Sequence, residues 1–314
     1  MGAEGLLLGH PACARHENGP GHPERPQRLE AVRRGLAAAG LLERLAQEEA
    51  PRAPRAWLEA VHEPAYLDRL EALAPAGEGT VWLDPDTALG PHSLEAAHRA
   101  AGAAGRAVEA VLGGEAPFAF CAVRPPGHHA ERGAAMGFCL LNNVAVGAAR
   151  ALALGAARVA VVDFDVHHGN GTEDVFAEEP RVLLVSSFQH PWYPGRGGRR
   201  TDHLLPLPLP AGTDGRGFRT AWAREGLPAL RAFDPQVVLC SAGFDAHRLD
   251  PLGGLLLEAA DYRWLAEALV GALPGRRAWV AVLEGGYHLE ALAASAAAFV
   301  GGMLAALRAG RRDG

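Results

Sequence analysis

Apolar and polar positions along this chain form two patterns, short uninterrupted apolar runs and longer stretches with apolar residues at helical spacing. Short runs rich in β-branched and aromatic residues are typical of buried strands. Because the two patterns alternate, they predict an α/β fold with a mainly parallel sheet covered by helices on both faces. The predicted strands are residues 118–123, 158–164, 181–188, 236–244 and 278–286, and the predicted helices are residues 26–39, 64–74, 93–112, 141–154, 216–232, 258–272 and 288–308.

The bulk composition is typical of an ordinary soluble globular protein. Hydrophobic residues make up 49% of the 314 positions and charged residues 21%, which supplies ample material for a core. No low-complexity linker interrupts the pattern, so we expect residues 1–314 to form a single domain. The net charge of −6 provides no basic surface of the kind that binds nucleic acid. None of these features specifies an oligomeric state.

Cysteine usage and apolar segments bear on the cellular compartment. The four cysteines include no Cys-x-x-Cys pair, so a zinc site built from thiolates is not expected. The first residues lack the basic region and the apolar length of a signal peptide, and we find no apolar run of transmembrane length. The alanine-rich residues 291–308 contain glycines and favour a packed helix. We therefore expect a cytoplasmic protein without a membrane partner.

Polar residues concentrate directly after four of the predicted strands. The segments are RPPGHHAERGAAMGFC after strand 118–123, DVHHGNG after strand 158–164, GFDAH after strand 236–242 and GGYH after strand 278–284. The carboxyl ends of parallel strands share one edge of a sheet, and ligands bind at that edge. We therefore expect the four segments to converge on one site.

The segment VDFDVHHGNG contains a candidate metal site. In an extended chain, residues two apart point to the same side, so Asp165 and His167 would face one point, with Asp163 on the same side. Asp245 in SAGFDAH is the best candidate for a third ligand, and these ligands would leave an open position, as in catalytic sites. His168 would point the other way and form a hydrogen bond below the site. The alternative is a hydrogen-bonded polar strand end that binds no metal.

One metal ion fits this sequence better than two. A dinuclear hydrolase of the arginase type would need a second carboxylate two residues after Asp245, where this chain has His247. The segment RPPGHHA likewise has no aspartate beside its histidines. The pattern therefore predicts a mononuclear centre, and its two carboxylates and one imidazole suit zinc or ferrous iron.

Two further segments carry candidate catalytic groups. Prolines make the turn before His128 and His129 rigid, which suits a general base whose tautomer is set by an acceptor such as Asp163. Tyr287 follows two glycines that would let its phenol turn over the site and donate to a developing oxyanion. For each group, a surface or half-buried position without a catalytic role is the alternative. Candidate walls of a channel, with ordinary packing as the alternative, are Phe138, Tyr193 and Trp192.

In their order along the chain, these motifs resemble the zinc-dependent histone deacetylase family, including its bacterial acetoin-utilisation and deacetylase-like members. The resemblance implies an arginase/deacetylase-like, three-layer fold with a central eight-stranded parallel sheet. It covers nearly the whole chain. The matching motifs are HPERPQRLEAV, DTALGPHSLEAA at 86–97, RPPGHHA, GFCLLNNVA, VDFDVHHGNGT, SAGFDAH, DPLGG and LEGGY.

The resemblance also implies a metal centre and a base. Zinc (Zn2+) would be bound by Asp165, His167 and Asp245, with ferrous iron (Fe2+) as the alternative. By the match to RPPGHH, His129 would be the general base and acid, and His128 would be its electrostatic partner.

The same resemblance implies hydrogen-bond partners for these histidines. Asp163 would bond to His128, and Asn170, which marks the class II branch, would bond to His129. Tyr287 matches the tyrosine that stabilises the transition state. It is not the histidine that weakly active relatives carry at this position.

Around this centre, the resemblance implies an acetate exit path near Arg25 and a rim aspartate, Asp86, that holds the substrate backbone. The substrate channel would be lined by Gly137, Phe138, Tyr193 and Leu252. A structural potassium ion (K+) would be bound by Asp163, Asp165, His167 and Ser186, partly through backbone carbonyls.

Three positions depart from the family pattern. Phe188 stands where histidine is common, and the arginine-rich loop 195–203, whose role the pattern does not define, follows the YP dipeptide. Leu252 replaces the glutamate of polyamine-selective members, which removes an attraction for a cationic amine. The expected activity is removal of acetyl or similar acyl groups from lysine side chains of proteins or peptides. The alternatives are deacetylation of acetylpolyamines or another small amide, and non-catalytic binding of acyl-lysine.

Overall fold

The computed structural model describes residues 3–275 and 277–310. Its strands are β1 (Gly5–Gly9), β2 (Leu45–Glu49), β3 (Val81–Trp82), β4 (Ala88–Leu89), β5 (Phe118–Cys121), β6 (Val159–Asp163), β7 (Val182–Gln189), β8 (Leu204–Leu209), β9 (Val237–Ala242) and β10 (Ala278–Leu283). Strands β3 and β4 form a small antiparallel hairpin. The other eight form one sheet in the order β2-β1-β5-β10-β9-β6-β7-β8, and every pairing in it is parallel.

Helices cover both faces of this sheet. They are α1 (Gln27–Ala38), α2 (Arg55–Glu59), α3 (Pro64–Leu73), α4 (Ser93–Gly113), α5 (Asn143–Ala153), α6 (Asn170–Phe176), α7 (Gly215–Ala221), α8 (Leu227–Phe233), α9 (Ala259–Ala272) and α10 (Leu289–Gly310). A π-helical turn at Trp222–Gly226 joins α7 to α8, and short 3-10 turns lie at Pro11–Arg15 and Leu42–Arg44.

Two apolar clusters lie between the sheet and these helices. Successive side chains of a strand point to opposite faces, so Leu7 enters one cluster while Leu6 and Leu8 enter the other. The first cluster is covered by α1 and α7 to α10, and the second by α2 to α6. The expected three-layer α/β fold with a central eight-stranded sheet is confirmed.

The last helix, α10, corrects one expectation about membrane length. Among the described residues, this helix of 22 residues is long and apolar enough to cross a membrane by length and composition, although we expected no such run. Its side chains at Phe299, Val300 and Met303 are nevertheless buried, and the helix packs against α1 and α9. The predicted packed helix over 291–308 is confirmed.

The apolar pattern does not predict three strands of the sheet, β1, β2 and β8. Strand β8 contains Pro206 and Pro208, which cannot donate backbone hydrogen bonds. They are tolerated because β8 is an edge strand that pairs with β7 alone. Strand β2 forms the other edge, and its sequence LAQEE is mostly polar. Both edge strands therefore resemble loops when only the sequence is known.

The strand order brings the four polar segments together. The strands that precede these segments are β5, β10, β9 and β6, which are consecutive neighbours in the sheet. All four run parallel, so their carboxyl ends lie along one edge. The expected convergence of the segments follows directly from this order.

Candidate active site

Two carboxylates and one imidazole converge beyond the ends of β6 and β9. Asp165, His167 and Asp245 are buried, and their ligand atoms all lie within 4.8 Å of one another. His167 Nδ1 is 3.0 Å from Asp165 Oδ1 and 3.2 Å from Asp245 Oδ2. Within the described ranges, this is the one cluster of at least three His, Cys, Asp or Glu side chains that is suited to hold a metal ion.

Backbone amides orient the two carboxylates. Val166 N donates to Asp245 Oδ1 at 2.8 Å, and Gly285 N donates to Asp165 Oδ2 at 2.8 Å. A Cβ atom on Gly285 would lie only 2.0 Å from Asp245 Oδ2. The close approach of backbone to carboxylates therefore requires glycine here, in addition to any role in turning the chain toward Tyr287.

The electrostatics of this cluster suit a cation. Burial raises the pKa of Asp245 above its ordinary range, and the neighbouring carboxylate of Asp165 raises it further. Asp245 Oδ2 has no well-oriented hydrogen-bond donor. Two buried carboxylates this close repel each other unless a positive charge offsets them. His247 does not join the cluster, and its Nε2 lies instead 3.8 Å from Glu258. The residues present therefore fit one metal ion rather than two.

The adjacent histidines lie next to this cluster, and each has its own partner. His128 Nδ1 is 3.0 Å from Asp163 Oδ2, and His129 Nδ1 is 2.7 Å from Asn170 Oδ1. Asn170 is the first residue of α6, which begins directly after the segment DVHHG. Both Nδ1 atoms face oxygen acceptors, so each Nε2 is the atom left for chemistry.

The pKa values of the two histidines are shifted in opposite directions. Burial on its own would lower the pKa of His128, but the carboxylates of Asp165 and Asp163 outweigh it and hold this pKa well above its ordinary value. Burial lowers the pKa of His129 well below its ordinary value, and the neighbouring His128 and His167 lower it further. Two adjacent imidazoles with opposite pKa shifts suit a site that transfers protons.

A buried carboxylate that the sequence does not single out, Glu284, fixes the turn that carries the histidines. Its Oε2 accepts hydrogen bonds from Gly127 N at 2.6 Å and from His128 N at 3.1 Å. Burial raises the pKa of Glu284 to about 7, against the lowering effect of His128. The sequence does contain a signal for Glu284. It is an acidic residue at the end of an otherwise apolar strand, and the neighbouring strands carry the other site residues.

Tyr287 reaches the cluster from the end of β10. Its backbone N–H donates to Asp250 Oδ2 at 2.6 Å, and its ring centroid lies 4.9 Å from the guanidinium carbon of Arg28. Burial raises the pKa of Tyr287 well above its ordinary value, although Arg28 opposes this shift. The phenol is therefore a hydrogen-bond donor at neutral pH. Asp250 and Arg28 are further residues that sequence reasoning missed.

The structure does not bring Arg25 to the site, and this corrects the residue expected at an acetate exit. Arg25 precedes α1 and its side chain is exposed. Arg28, on the buried face of α1, is fully buried and donates to the carbonyl of Gly286 at 2.7 Å and to that of Glu284. Arg28 lies in the first turn of α1, on the buried face that also carries Ala31 and Val32, whereas Arg25 precedes the helix.

A channel of about 260 Å³ leads to the cluster and contains every residue expected to line it. The ring of Phe138 lies 5.8 Å from that of Tyr287, and the ring of Tyr193 is perpendicular to that of His129 at 5.1 Å. Phe138 has a φ of 71°, which is unusual for a residue other than glycine and marks a constrained turn. The lining consists of Asp86, His129, Gly137, Phe138, His167, Trp192, Tyr193, Pro251, Leu252 and Tyr287.

The remaining expected residues lie behind the cluster. Ser186 pairs in register with Asp163, and its buried hydroxyl has no hydrogen-bond partner. His168 Nε2 lies 3.2 Å from Glu173, and its ring packs 4.5 Å from the ring of Phe188. Phe188, where the family often has histidine, thus provides an apolar support for His168.

Comparison with known proteins extends this picture. A family profile for the histone deacetylase domain matches residues 22–303. A histone deacetylase-like amidohydrolase of Pseudomonas aeruginosa is 40% identical over 279 residues, which cover 85% of this chain and 73% of that protein. A probable deacetylase of Archaeoglobus fulgidus is 36% identical over 297 residues, covering 90% of this chain and 81% of that protein.

A solved structure, the crystal structure of the HDA15 HD domain, shares the fold with a TM-score of 0.90 at 34% sequence identity. The match covers 97% of this chain and 90% of that one. The range matched by the family profile includes seven of the eight strands of the sheet and all four segments at its carboxyl edge. The chain therefore belongs to the histone deacetylase family.

Proposed function

We propose that this protein is a metal-dependent amidohydrolase that removes acetyl groups from lysine side chains of proteins or peptides. The observation that carries the proposal is the channel, which passes Phe138 and Tyr193 and ends at the cluster that contains His167. Aromatic walls suit the methylene stem of an acylated lysine, and polar groups at the inner end suit its amide. Membership of the deacetylase family supports acetylated substrates as a class.

We assign a zinc ion to Asp165, His167 and Asp245, with ferrous iron as the alternative, since this donor set suits both. When bound, such an ion supplies Lewis-acid polarisation of a carbonyl and activation of water. We also assign a structural potassium ion, supported by the unpartnered hydroxyl of Ser186 beside β6. Its proposed ligands are Asp163, Asp165, His167 and Ser186.

His129 is the proposed general base and, later in the reaction, the general acid. Its Nδ1 is engaged by Asn170, so Nε2 takes a proton from the attacking water and returns one to the leaving amine. The lowered pKa keeps this ring neutral before the reaction. His128, whose pKa the carboxylates of Asp165 and Asp163 raise, provides a positive charge beside the developing oxyanion.

Tyr287 is the proposed donor to that oxyanion. Its hydroxyl stays protonated because burial raises its pKa, and Asp250 holds its backbone in place. Loss of one such donor typically lowers the rate by about 100- to 1000-fold. Arg28, which lies against the ring of Tyr287, replaces Arg25 as the residue that we assign to the acetate exit.

Two residues of the channel bear on the choice of substrate. Leu252 lines the channel without charge, so it offers no partner to the second amine of an acetylpolyamine. Asp86 lines the same channel and is exposed, where its carboxylate can accept hydrogen bonds from a peptide backbone. The uncharged Leu252 favours a peptide over a polyamine, and Asp86 is placed to hold a peptide backbone.

A substrate panel on the purified protein tests this proposal. We expect hydrolysis of acetyl-lysine peptides with kcat/KM at least about tenfold above that for N-acetylputrescine and N-acetylspermidine. The His129→Ala variant is the negative control, because it keeps the three proposed metal ligands and removes the proposed base. A preference for acetylpolyamines would support the small-amide alternative, and tight peptide binding without turnover would support a non-catalytic binder.

A further inference from the structure

The arginine-rich loop between β7 and β8 is held against the protein by ion pairs. Three of its arginines each lie close to a glutamate on another element, so they do not form a free cationic surface. One of these glutamates, Glu131, also contacts the proposed catalytic machinery. The pairs are Arg196–Glu131 at 2.8 Å, Arg199–Glu173 at 3.5 Å and Arg200–Glu225 at 3.0 Å.

Glu131 connects this loop to His129 through Asn170. Its Oε1 accepts hydrogen bonds from Arg196 Nη1 and from Asn170 Nδ2, each at 2.8 Å. Asn170 Oδ1 in turn lies 2.7 Å from His129 Nδ1. The Glu131 side chain is 21% exposed and that of Arg196 is 63% exposed, so the four residues form a chain of hydrogen bonds from the surface to the buried imidazole.

The backbone of Glu131 is anchored independently of its side chain. The buried His62 donates from Nδ1 to the carbonyl oxygen of Glu131 at 2.9 Å, and Glu131 N donates to Ala134 O at 2.9 Å. These contacts fix the position from which the carboxylate reaches Asn170. Truncation of the side chain therefore leaves the local backbone in place.

The contact with Glu131 decides which end of the Asn170 amide faces His129. An asparagine amide has an accepting oxygen and a donating NH2 group of nearly equal shape, and it can bind in either orientation. A carboxylate only accepts, so Glu131 requires the NH2 group to face it and the oxygen to face His129. An inverted amide would place the NH2 group against His129 Nδ1 and move the imidazole proton to Nε2. That tautomer cannot act as a base toward the channel.

We propose that Glu131 is a positioning residue that sets the orientation of the Asn170 amide and, through it, the tautomer of His129. The hydrogen bond from Arg196 links Glu131 to the loop that follows Tyr193 at the channel. An aspartate in place of Asn170 would need no such residue, because a carboxylate has no donating end. The inference rests on the proposed function, since it concerns His129 as the base of that reaction.

The first test compares variants of the purified enzyme on an acetyl-lysine peptide. Glu131→Ala is expected to lower kcat by about five- to tenfold with KM unchanged, because part of the His129 population loses its base. Glu131→Gln keeps an accepting oxygen, which the donor Arg196 holds toward Asn170, and it is expected to stay within about threefold of the wild-type kcat. Arg199→Ala is the control, since it removes a loop ion pair that does not reach Asn170, and it should leave kcat unchanged. Equal losses in the Ala and Gln variants would overturn the proposal.

The second test reads the tautomer directly. Imidazole 15N NMR of protein labelled at histidine, with His129 assigned from a His129→Gln sample, is expected to show a proton on Nδ1 in the wild type. Glu131→Ala should shift this population toward Nε2, and an unchanged tautomer would overturn the proposal. The tautomer is measured without turnover. A wild-type protein that hydrolyses no acetyl-lysine peptide would therefore refute the proposed function separately from this inference.

A double substitution provides the sharpest discrimination. In the Asn170→Asp variant, the new carboxylate has no donating end to orient, so Glu131→Ala should no longer lower kcat. This disappearance of the effect follows from amide orientation and not from a general loss of stability. Loss of activity upon Glu131→Ala in both backgrounds would contradict the proposal.

Discussion

Gly285→Ala tests the metal cluster while it leaves every ligand side chain in place. A Cβ at this position would lie 2.0 Å from Asp245 Oδ2 and 2.6 Å from Asp165 Oδ2, whereas ordinary contact begins at 3.4 Å. The two carboxylates must therefore retreat by far more than the deviation of about 0.2 Å that a metal–ligand distance tolerates. We expect the variant to fold and to lose its metal.

The cost to the fold is that of overpacking one methyl group, about 1–3 kcal/mol, so the melting temperature should fall by several degrees at most. Metal content after dialysis, measured by inductively coupled plasma spectrometry, should fall below about a tenth of an equivalent, and peptide deacetylation should fall in parallel. Gly271→Ala is the control, since a Cβ there meets no atom within 4 Å. A folded Gly285→Ala protein with one full equivalent of tightly bound metal would refute the ligand geometry.

Three further substitutions test other parts of the account. Tyr287→Phe should retain one equivalent of metal and lose deacetylation by about 100- to 1000-fold, and unchanged turnover would remove this tyrosine from the chemistry. Leu252→Glu should raise kcat/KM for acetylpolyamines relative to acetyl-lysine peptides in a competition assay; no change would mean that this position does not select the substrate. Burial lowers the pKa of His62 to about 4. Between about pH 4 and 6.5 the unfolded chain therefore binds more protons than the folded protein. The free energy of unfolding should fall as the pH falls through this range. His62→Gln should reduce that slope in urea unfolding, by at most about 1.4 kcal/mol per pH unit, and an identical slope would contradict the assignment.

The parts of the site that follow from local geometry could be predicted from the sequence. Asp165 and His167 are two residues apart on an extended segment, so their common direction follows from strand geometry alone. Asp245 is 80 positions beyond Asp165 and required one more step, the rule that parallel strands present their carboxyl ends at one edge. That rule was sufficient because β6 and β9 are direct neighbours in the sheet.

The supporting residues could not be predicted, because their partners are backbone groups or side chains far away in sequence. Arg28 donates to the carbonyl of Gly286, 258 positions away, and nothing near Arg28 in the sequence distinguishes it from Arg25. Glu284 accepts from backbone N–H groups that every turn possesses, so no residue type marks its partner. Glu131 has its role only because Asn170, 39 positions later, directs its side-chain amide toward it.

The central claim is that the cluster of Asp165, His167 and Asp245 holds the metal ion on which deacetylation depends. The most direct measurement follows metal content and acetyl-lysine peptide turnover in the same samples during removal of metal by a chelator and stepwise return of zinc. The account predicts that turnover disappears with the metal and returns in proportion to zinc, reaching its maximum at one equivalent. Turnover that persists after complete removal of the metal, or recovery that requires two equivalents, would contradict it.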